Sequence, residues 1–124
     1  MGLVRMRTIF IVDDNDVNLI TAEKALEDYY NVYTLPSAEA LFELLNNVTP
    51  DLILLDIKMP VIDGLEALKI LKADPAYITF PVIFLTGKND SQTESLAFKL
   101  GAVDYITKPF NALSLLHRIQ KHVK

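Results

Sequence analysis

The sequence predicts an α/β domain in which five parallel strands form one sheet that helices cover on both faces. Three observations support this fold class: five short apolar or β-branched runs, five helical patterns that alternate with them, and a length of 124 residues. Strands that alternate with helices form parallel sheets through right-handed crossovers. The length is typical of one domain, so we expect residues 8–124 to form it, preceded by a tail at residues 1–7.

The predicted strands are short runs rich in apolar and β-branched residues. Four consecutive apolar residues at 52–55 are typical of a strand that is buried on both faces of a sheet. Of the two common doubly wound arrangements, five strands favour the flavodoxin-like order 2-1-3-4-5, which has its switch point between strands 1 and 3. The five runs are Thr8–Val12, Asn31–Leu35, 52–55, 81–85 and Asp104–Thr107.

Each helical pattern begins at a residue that is suited to cap a helix. The expected starts are one of Asp14, Asn15 and Asp16, then Ser37, Asp63-Gly64, Ser91 and Asn111. We expect the third helix to end before Pro75 and the fourth to end at Gly101. The predicted core residues of the five helices are Leu19, Ala22, Ala25 and Leu26; Ala40, Leu41, Leu44 and Leu45; Leu65, Leu68 and Leu71; Leu96, Ala97 and Leu100; and Leu115 with Ile119.

Polar side chains stand just past the ends of four predicted strands. Asp13 and Asp14 follow strand 1, Asp56 follows strand 3, Thr86 follows strand 4 and Lys108 follows strand 5. Alone, each has an ordinary structural explanation, as a helix cap, a β-branched strand residue or a solvated cation. Because open α/β sheets bind ligands at the carboxyl ends of their strands, the five together predict a functional site.

The charges of these residues indicate the chemistry of the site. Three carboxylates within a few ångströms repel one another unless a hard cation neutralises them. Oxygen ligands without His or Cys point to Mg²⁺, which commonly binds one or two carboxylates together with a phosphate. A phosphoryl group at Asp56 would then lie between the metal and Lys108, and attack by Asp56 would produce an acyl phosphate.

The chain resembles the receiver domain of two-component response regulators over essentially its whole length. The resemblance rests on four segments: Ile11-Val12-Asp13-Asp14, the stretch from Asp56 to Gly64, the pair Thr86-Gly87, and the stretch from Gly101 to Phe110. It implies that Asp56 accepts phosphate from a histidine kinase or a histidine phosphotransfer protein. It also implies that Asp13, Asp14 and the backbone carbonyl of Lys58 join Asp56 around Mg²⁺.

The same resemblance implies a switch rather than turnover of a released substrate. Thr86 would turn its hydroxyl toward the phosphate, Tyr105 would follow it inward, and Lys108 would form a salt bridge with the phosphate. The face formed by helix 4, strand 5 and helix 5 would then control an output domain or a second copy of the chain, through Phe98, Tyr105, and Leu113 or Leu116. Tyr105 could instead be an exposed strand aromatic that covers its neighbours.

The peptide bond between Lys108 and Pro109 is expected to be cis. Lys108 must direct its ammonium back over Asp56 while Phe110 returns to the core and Asn111 starts a helix, which requires a sharp reversal of the chain. Receivers, which this chain resembles, also have this bond in the cis form.

Composition disfavours several other functions. The net charge of −4 argues against direct binding to nucleic acid, because such affinity comes from basic patches. No apolar run approaches the ~18 residues of a membrane span. The absence of cysteine excludes disulfides and thiolate metal sites, and it agrees with a cytoplasmic location. His117 and His122 lie in a polar C-terminal stretch, and we expect both to be solvated.

Three alternatives to a phosphorylated receiver remain open. A degenerate receiver that acts only as a phosphorylation-independent docking module would be distinguished by measuring phosphorylation. A Mg²⁺-dependent phosphatase of the haloacid dehalogenase type also uses an Asp nucleophile after a strand, but Lys58 occupies the position of its second Asp. A flavin binder with this strand order needs a phosphate loop after strand 1, where Asp13 and Asp14 would repel the phosphate. We therefore expect no enzymatic activity beyond the domain's own phosphorylation and dephosphorylation.

Overall fold

The computed structural model describes residues 6–87 and 91–123, and these form the fold that the sequence predicts. Five parallel strands pair in the order β2-β1-β3-β4-β5, and a helix follows each strand. None of the helices in this part of the chain combines the length and apolar composition needed to cross a membrane. The elements are β1 Thr8–Val12, α1 Asp16–Leu26, β2 Asn31–Leu35, α2 Ala38–Leu45, β3 Leu52–Asp56, α3 Gly64–Ala73, β4 Val82–Thr86, α4 Ser91–Lys99, β5 Asp104–Thr107 and α5 Ala112–His122.

Two strands extend one residue further toward the carboxyl edge of the sheet than predicted. β3 ends at Asp56 and β4 ends at Thr86, and both residues are paired within the sheet. β4 also begins one residue later, at Val82, because Pro81 has no N–H to donate to the ladder. Only the Pro81 carbonyl takes part, accepting from the Ile53 N–H at 2.9 Å. Backbone pairing therefore fixes the positions of Asp56 and Thr86 directly.

The sheet is packed on both faces, as expected for a doubly wound fold. Every residue of β1 and β3 is buried. On one face α1 and α5 contribute Leu26, Leu115 and Ile119 to the core. On the other face α2 and α3 contribute Leu41 and Leu68. The central strands are thus held rigidly between two apolar layers, with their carboxyl ends at one edge of the domain.

The helices begin where the capping residues predict. The side chains of Asn15, Ser37, Asp63 and Asn111 each accept a hydrogen bond from the backbone N–H three residues later, at 3.1, 3.1, 2.8 and 2.7 Å. These bonds satisfy donors that have no partner within the helix, and removing such a cap typically costs about 1 kcal/mol. Local side-chain chemistry therefore sets the start of α1, α2, α3 and α5.

Helix α4 buries less apolar surface than predicted. It begins at Ser91, and Gly101, with φ of 108°, follows its end, both as expected. Ala97 is buried with an exposed fraction of 1%, but Leu96 is 42% exposed, so its assignment to the core is wrong. The reason is that α4 lies beside the edge strand β5, where only a narrow stripe of the helix reaches the core.

One residue expected on the outer face of α5 lies in the core instead. Leu116 has an exposed fraction of 9% and packs with Leu115 and Ile119, whereas Leu113 is 63% exposed. Residues 115, 116 and 119 fall on one side of a helix, because side chains three and four positions apart share a face. Of the two leucines proposed for the interaction face, only Leu113 is available there.

The first turn of α3 lies directly against the backbone of Asp56. A Cβ atom at Gly64 would collide with the carbonyl oxygen of Asp56 and would lie 2.8 Å from the Cα atom of Ile57. The Gly64 N–H donates to the Ile57 carbonyl at 2.7 Å. The absence of a side chain at Gly64 therefore lets α3 support the end of β3.

We expect Gly64→Ala to destabilise the protein by about 1 to 3 kcal/mol, because the added methyl group must displace backbone atoms. Gly87→Ala is the control, since a Cβ atom there would meet nothing within 4 Å. Its free energy of unfolding should change by less than about 0.5 kcal/mol. Urea unfolding followed by circular dichroism measures both changes, and equal destabilisation of the two variants would contradict the close-approach argument.

Candidate functional site

Three carboxylates meet at the carboxyl edge of the sheet, past β1 and at the end of β3. One oxygen from each of Asp13, Asp14 and Asp56 lies within 4.8 Å of the others. Asp13 and Asp56 have exposed fractions of 0% and 2%, whereas Asp14 faces solvent. The structure therefore brings the three predicted aspartates together, with two of the three negative charges in a buried position.

Lys108 reaches these carboxylates from the loop after β5. Its ammonium nitrogen lies 2.9 Å from Oδ1 of Asp56 and 3.4 Å from Oδ2 of Asp13. Its backbone N–H donates to the carbonyl of Thr86 at 2.6 Å, and the peptide bond between Lys108 and Pro109 is cis, as predicted. A single ammonium is thus shared between two buried carboxylates.

Asp13 is also held by two neutral donors from the start of α1. Its Oδ1 accepts the backbone N–H of Asn15 at 2.9 Å, and its Oδ2 accepts the side-chain amide of Asn18 at 3.1 Å. The sequence analysis did not identify Asn18 as a site residue. The available signal was its place in the first turn of α1, three residues after the cap, where a side chain can turn back toward the end of β1.

The electrostatic balance of the site is incomplete. Burial raises the pKa of Asp56 to about 6, the Asp13 carboxylate adds to this rise, and Lys108 opposes it. Burial acts to lower the pKa of Lys108, but its hydrogen bonds and attraction to Asp56 and Asp13 outweigh burial, so the pKa lies above its ordinary value. One ammonium therefore does not offset three clustered carboxylates.

A hard divalent cation fits this uncompensated negative charge. The available ligands are carboxylate and carbonyl oxygens, which suit Mg²⁺ better than a metal that prefers His or Cys. Lys58, whose backbone carbonyl the resemblance names as a ligand, lines the same cavity as Asp13, Asp14 and Asp56. The cavity has a volume of about 370 Å³, which leaves room for the waters that Mg²⁺ keeps and for a phosphoryl group.

Thr86 and Tyr105 lie on the side of the site nearest α4. Thr86 lines the main cavity, and a narrow gap beneath α4 separates it from Tyr105. The Tyr105 ring packs edge-on against Phe98, with ring centres 6.0 Å apart. A hydrogen bond to the Glu94 carboxylate raises the pKa of the Tyr105 hydroxyl. Tyr105 is therefore a half-buried residue with specific contacts to α4, rather than a freely exposed strand aromatic.

A second charged cluster corrects the expectation for His122. Its Nε2 lies 3.1 Å from Oδ2 of Asp104, and Nη1 of Arg118 lies 2.7 Å from Oδ1 of the same carboxylate. Asp104 is 7% exposed, so it requires such partners, and Arg118 and His122 are four residues apart on one face of α5. His122 is thus not a solvated side chain, whereas His117 is exposed as expected.

We expect Asp56→Asn to stabilise the metal-free protein at neutral pH by on the order of 1 to 3 kcal/mol, because it removes a poorly compensated buried charge. The pKa of Asp56 is raised from 3.8 to about 6 in the folded state. Between these two pH values the folded state therefore binds more protons than the unfolded state. Wild-type stability should therefore fall as pH rises through this range.

The gain from Asp56→Asn should be largest above about pH 6 and should shrink toward pH 3.8. Urea unfolding at several pH values, in the presence of a chelator, measures this gain in the free energy of unfolding. Asp63→Asn is the control, because Asp63 is exposed and Asn also caps helices. A stabilisation that grows as pH falls would overturn this account of the Asp56 charge.

The amino-acid sequence matches the family model of the response regulator receiver domain over residues 9–120. It is 40% identical over 117 residues to a probable cyclic di-GMP phosphodiesterase of Vibrio cholerae, covering 94% of this chain and 26% of that protein. It is 37% identical over 119 residues to the transcriptional regulatory protein YvrH of Bacillus subtilis, covering 94% of this chain and 49% of that protein. The chain thus spans less than half the length of these two relatives.

Solved structures share the same fold. The chemotaxis response regulator CheY4 of Vibrio cholerae superposes with a TM-score of 0.90 at 26% identity, covering 96% of this chain and 100% of that chain. A putative response regulator from Chloroflexus aurantiacus gives a TM-score of 0.87 at 33% identity, covering 94% and 97%. With the family match extending over most of its length, this chain belongs to the receiver domains of two-component response regulators.

Proposed function

We propose that Asp56 accepts a phosphoryl group from a phosphohistidine, with Mg²⁺ as cofactor, and that this event switches the receiver domain, residues 8–124, between two states. The observation that carries the proposal is the Lys108 ammonium, 2.9 Å from Oδ1 of Asp56 and beside the three clustered carboxylates. Phosphoryl transfer needs positive charge around the transferred group. Asp13, Asp14, Asp56 and the backbone carbonyl of Lys58 would hold the metal.

The reaction is a displacement at phosphorus with Asp56 as the nucleophile. A carboxylate oxygen of Asp56 forms the new O–P bond as the P–N bond of the phosphohistidine breaks, and the imidazole leaves with the electron pair. Because its pKa is about 6, Asp56 is mostly ionised at neutral pH and available to attack. Lys108 donates hydrogen bonds to the phosphoryl oxygens. When bound, Mg²⁺ supplies the remaining positive charge that stabilises those oxygens.

Phosphorylation would change the contacts of Thr86 and Tyr105. The phosphoryl group adds about 1.5 to 2 negative charges and new acceptor oxygens. The Thr86 hydroxyl gains one of these acceptors only in the phosphorylated state, which gives the contact difference that a switch needs. Movement of Thr86 would open the narrow gap beneath α4, and the Tyr105 ring would enter it by leaving Glu94 and Phe98.

The switch would be read on the face formed by α4, β5 and α5. Tyr105 lies on this face, and Phe98 and Leu113 are exposed there at 45% and 63%. Exposed apolar side chains near a switching residue suit contact with an output domain or a second copy of the chain. The probable cyclic di-GMP phosphodiesterase and YvrH are longer than this chain, which supports a receiver that controls another domain.

The phosphate donor is proposed to be a histidine kinase or a histidine phosphotransfer protein. We place the domain in the cytoplasm, with which the absence of cysteine agrees. No direct contact with nucleic acid or a membrane is proposed. The domain would promote only its own phosphorylation and dephosphorylation, without turnover of another substrate.

The alternatives fit the site less well. A docking module that is never phosphorylated would not need Asp13, Asp14 and Asp56 clustered beside Lys108, where burial raises the pKa of Asp56. A phosphatase of the haloacid dehalogenase type needs a second Asp where this chain has Lys58, an exposed cation. A flavin phosphate would meet the carboxylates of Asp13 and Asp14 instead of a donor-rich loop.

Incubation with acetyl phosphate and Mg²⁺ should add one phosphoryl group to the wild-type protein and none to Asp56→Asn, because the amide lacks the nucleophilic oxygen. Asp13→Ala should also remain unmodified, since it loses a proposed metal ligand. Asp63→Asn, an exposed residue of the loop after β3, is the matched control and should react like wild type. Intact-mass spectrometry measures the adduct, and an adduct on Asp56→Asn would place the acceptor elsewhere.

Mg²⁺ should bind weakly and stabilise the wild-type protein at neutral pH, because a partly hydrated ion with few protein ligands gains little on binding. At ten times its Kd the expected stabilisation is about 1.4 kcal/mol. The effect should decrease as pH falls below about 6, where Asp56 becomes protonated. Thermal unfolding with and without Mg²⁺ tests this, and an equal Mg²⁺ response from Asp13→Ala would disprove the ligand assignment.

A further inference from the structure

The buried carboxylate of Asp13 is held by two neutral hydrogen-bond donors and one charged donor. Oδ1 accepts the backbone N–H of Asn15 at 2.9 Å. Oδ2 accepts the side-chain amide of Asn18 at 3.1 Å and lies 3.4 Å from the ammonium of Lys108. Asp13 is fully buried, so these groups, rather than bulk water, determine its orientation. Lys108 is the charged donor among these groups. In the proposed reaction it must also donate hydrogen bonds to the phosphoryl group on Asp56.

Lys108 lies closer to Asp56 than to Asp13, at 2.9 Å compared with 3.4 Å. When Asp56 carries a phosphoryl group, the ammonium gains additional anionic acceptors at Asp56. The contact with Asp13 is then the weaker of its two interactions. Asn18 would remain as the side-chain donor to Oδ2 of Asp13 while Lys108 serves the phosphoryl group.

Asn18 is well placed for this task. Its own backbone N–H donates to the side chain of Asn15 at 3.1 Å, within the first turn of α1. Its side chain lines the same cavity as Asp13, Asp56 and Lys108. Because both its backbone and its amide group are hydrogen-bonded near the end of β1, Asn18 holds the carboxylate at a fixed angle to the cavity.

The neutral charge of Asn18 also matters. A Lys or Arg side chain at this position would compete with a metal cation for Asp13, and an Asp would add a fourth carboxylate to the cluster. An amide donates a hydrogen bond without either effect. Metal-binding carboxylates are commonly oriented by such outer hydrogen bonds, and removing one typically lowers metal affinity by about 10- to 100-fold.

We infer that Asn18 is a positioning residue that orients the Asp13 carboxylate for the cation and thereby sets the Mg²⁺ affinity of the site. This inference rests on the proposed function, because it takes Mg²⁺ as the cation. Asn18 itself neither contacts the transferred phosphoryl group nor moves a proton. Its loss should therefore weaken metal binding while leaving the phosphorylation rate at saturating Mg²⁺ nearly unchanged.

The test compares wild type with Asn18→Leu, which keeps the branched shape and the number of side-chain heavy atoms but removes the donor. Mg²⁺ titrations followed by the NMR amide shifts of residues around Asp56 give the Kd, and acetyl phosphate labelling at saturating Mg²⁺ gives the rate. We expect the Kd to rise at least about tenfold and the saturating rate to stay within about threefold of wild type. Asn47→Leu, an exposed Asn after α2 at the opposite edge of the sheet, is the matched control and should change neither value.

Asn18→Ala provides a second variant if the leucine variant does not fold, because Ala favours the helix and the side chain at this position is only partly buried. A folded variant whose Kd stays within about twofold of wild type, or whose saturating rate falls while the Kd is unchanged, overturns the inference. A wild-type protein that binds no Mg²⁺ at all would instead refute the proposed function. The two failures are therefore distinguishable in the same titration.

Discussion

The ammonium of Lys108 lies between the buried carboxylates of Asp13 and Asp56, and one positive charge must serve both. Burial and the neighbouring Asp13 carboxylate raise the pKa of Asp56, and Lys108 lowers it, so the ammonium offsets only part of the cost of keeping these charges buried. A fully balanced ion pair would have little reason to attract a further ligand, because its desolvation would already be offset. The remaining negative charge favours a cation, and the cation together with Lys108 favours a phosphoryl group. The proposed metal site and the proposed phosphoacceptor site would thus both follow from the same cluster of buried charges.

The strand order creates this cluster by bringing distant parts of the chain together. β1 and β3 are adjacent and parallel, with Val12 opposite Leu55, so Asp13 and Asp56 follow at the same level of the sheet. The supports of the two aspartates are different. The backbone of Asp56 rests against Gly64 of α3, whereas the carboxylate of Asp13 is held by groups from the start of α1. The rigid two-sided core allows like charges to stay close, because the packed strands resist separation.

Much of this arrangement was predictable from the sequence, because strand ends and helix caps are local signals. The strand order, four capping residues and the gathering of the aspartates and Lys108 at one edge all follow from hydrophobic pattern and topology. Three features were not predictable in this way. The exposure of Leu96 depends on how α4 meets an edge strand, and the pairing of His122 depends on a carboxylate 18 residues away. The hydrogen bond from Asn18 to Asp13 depends on how the Asn18 side chain turns back from the first turn of α1. Each is decided by tertiary contacts that a periodic pattern does not encode.

The two sides of the proposed site also differ in how tightly they are packed. Strand β3, which ends at Asp56, is buried throughout, and α3 packs against its end without space for a methyl group at Gly64. In contrast, α4 buries one residue, Ala97, and holds Tyr105 through contacts at its surface with Glu94 and Phe98. Elements with few buried apolar contacts can unfold locally at a low cost in free energy. If Asp56 is phosphorylated as proposed, the new charge would meet a closely packed backbone on the α3 side, and the structural response would be directed toward Thr86, Tyr105 and α4.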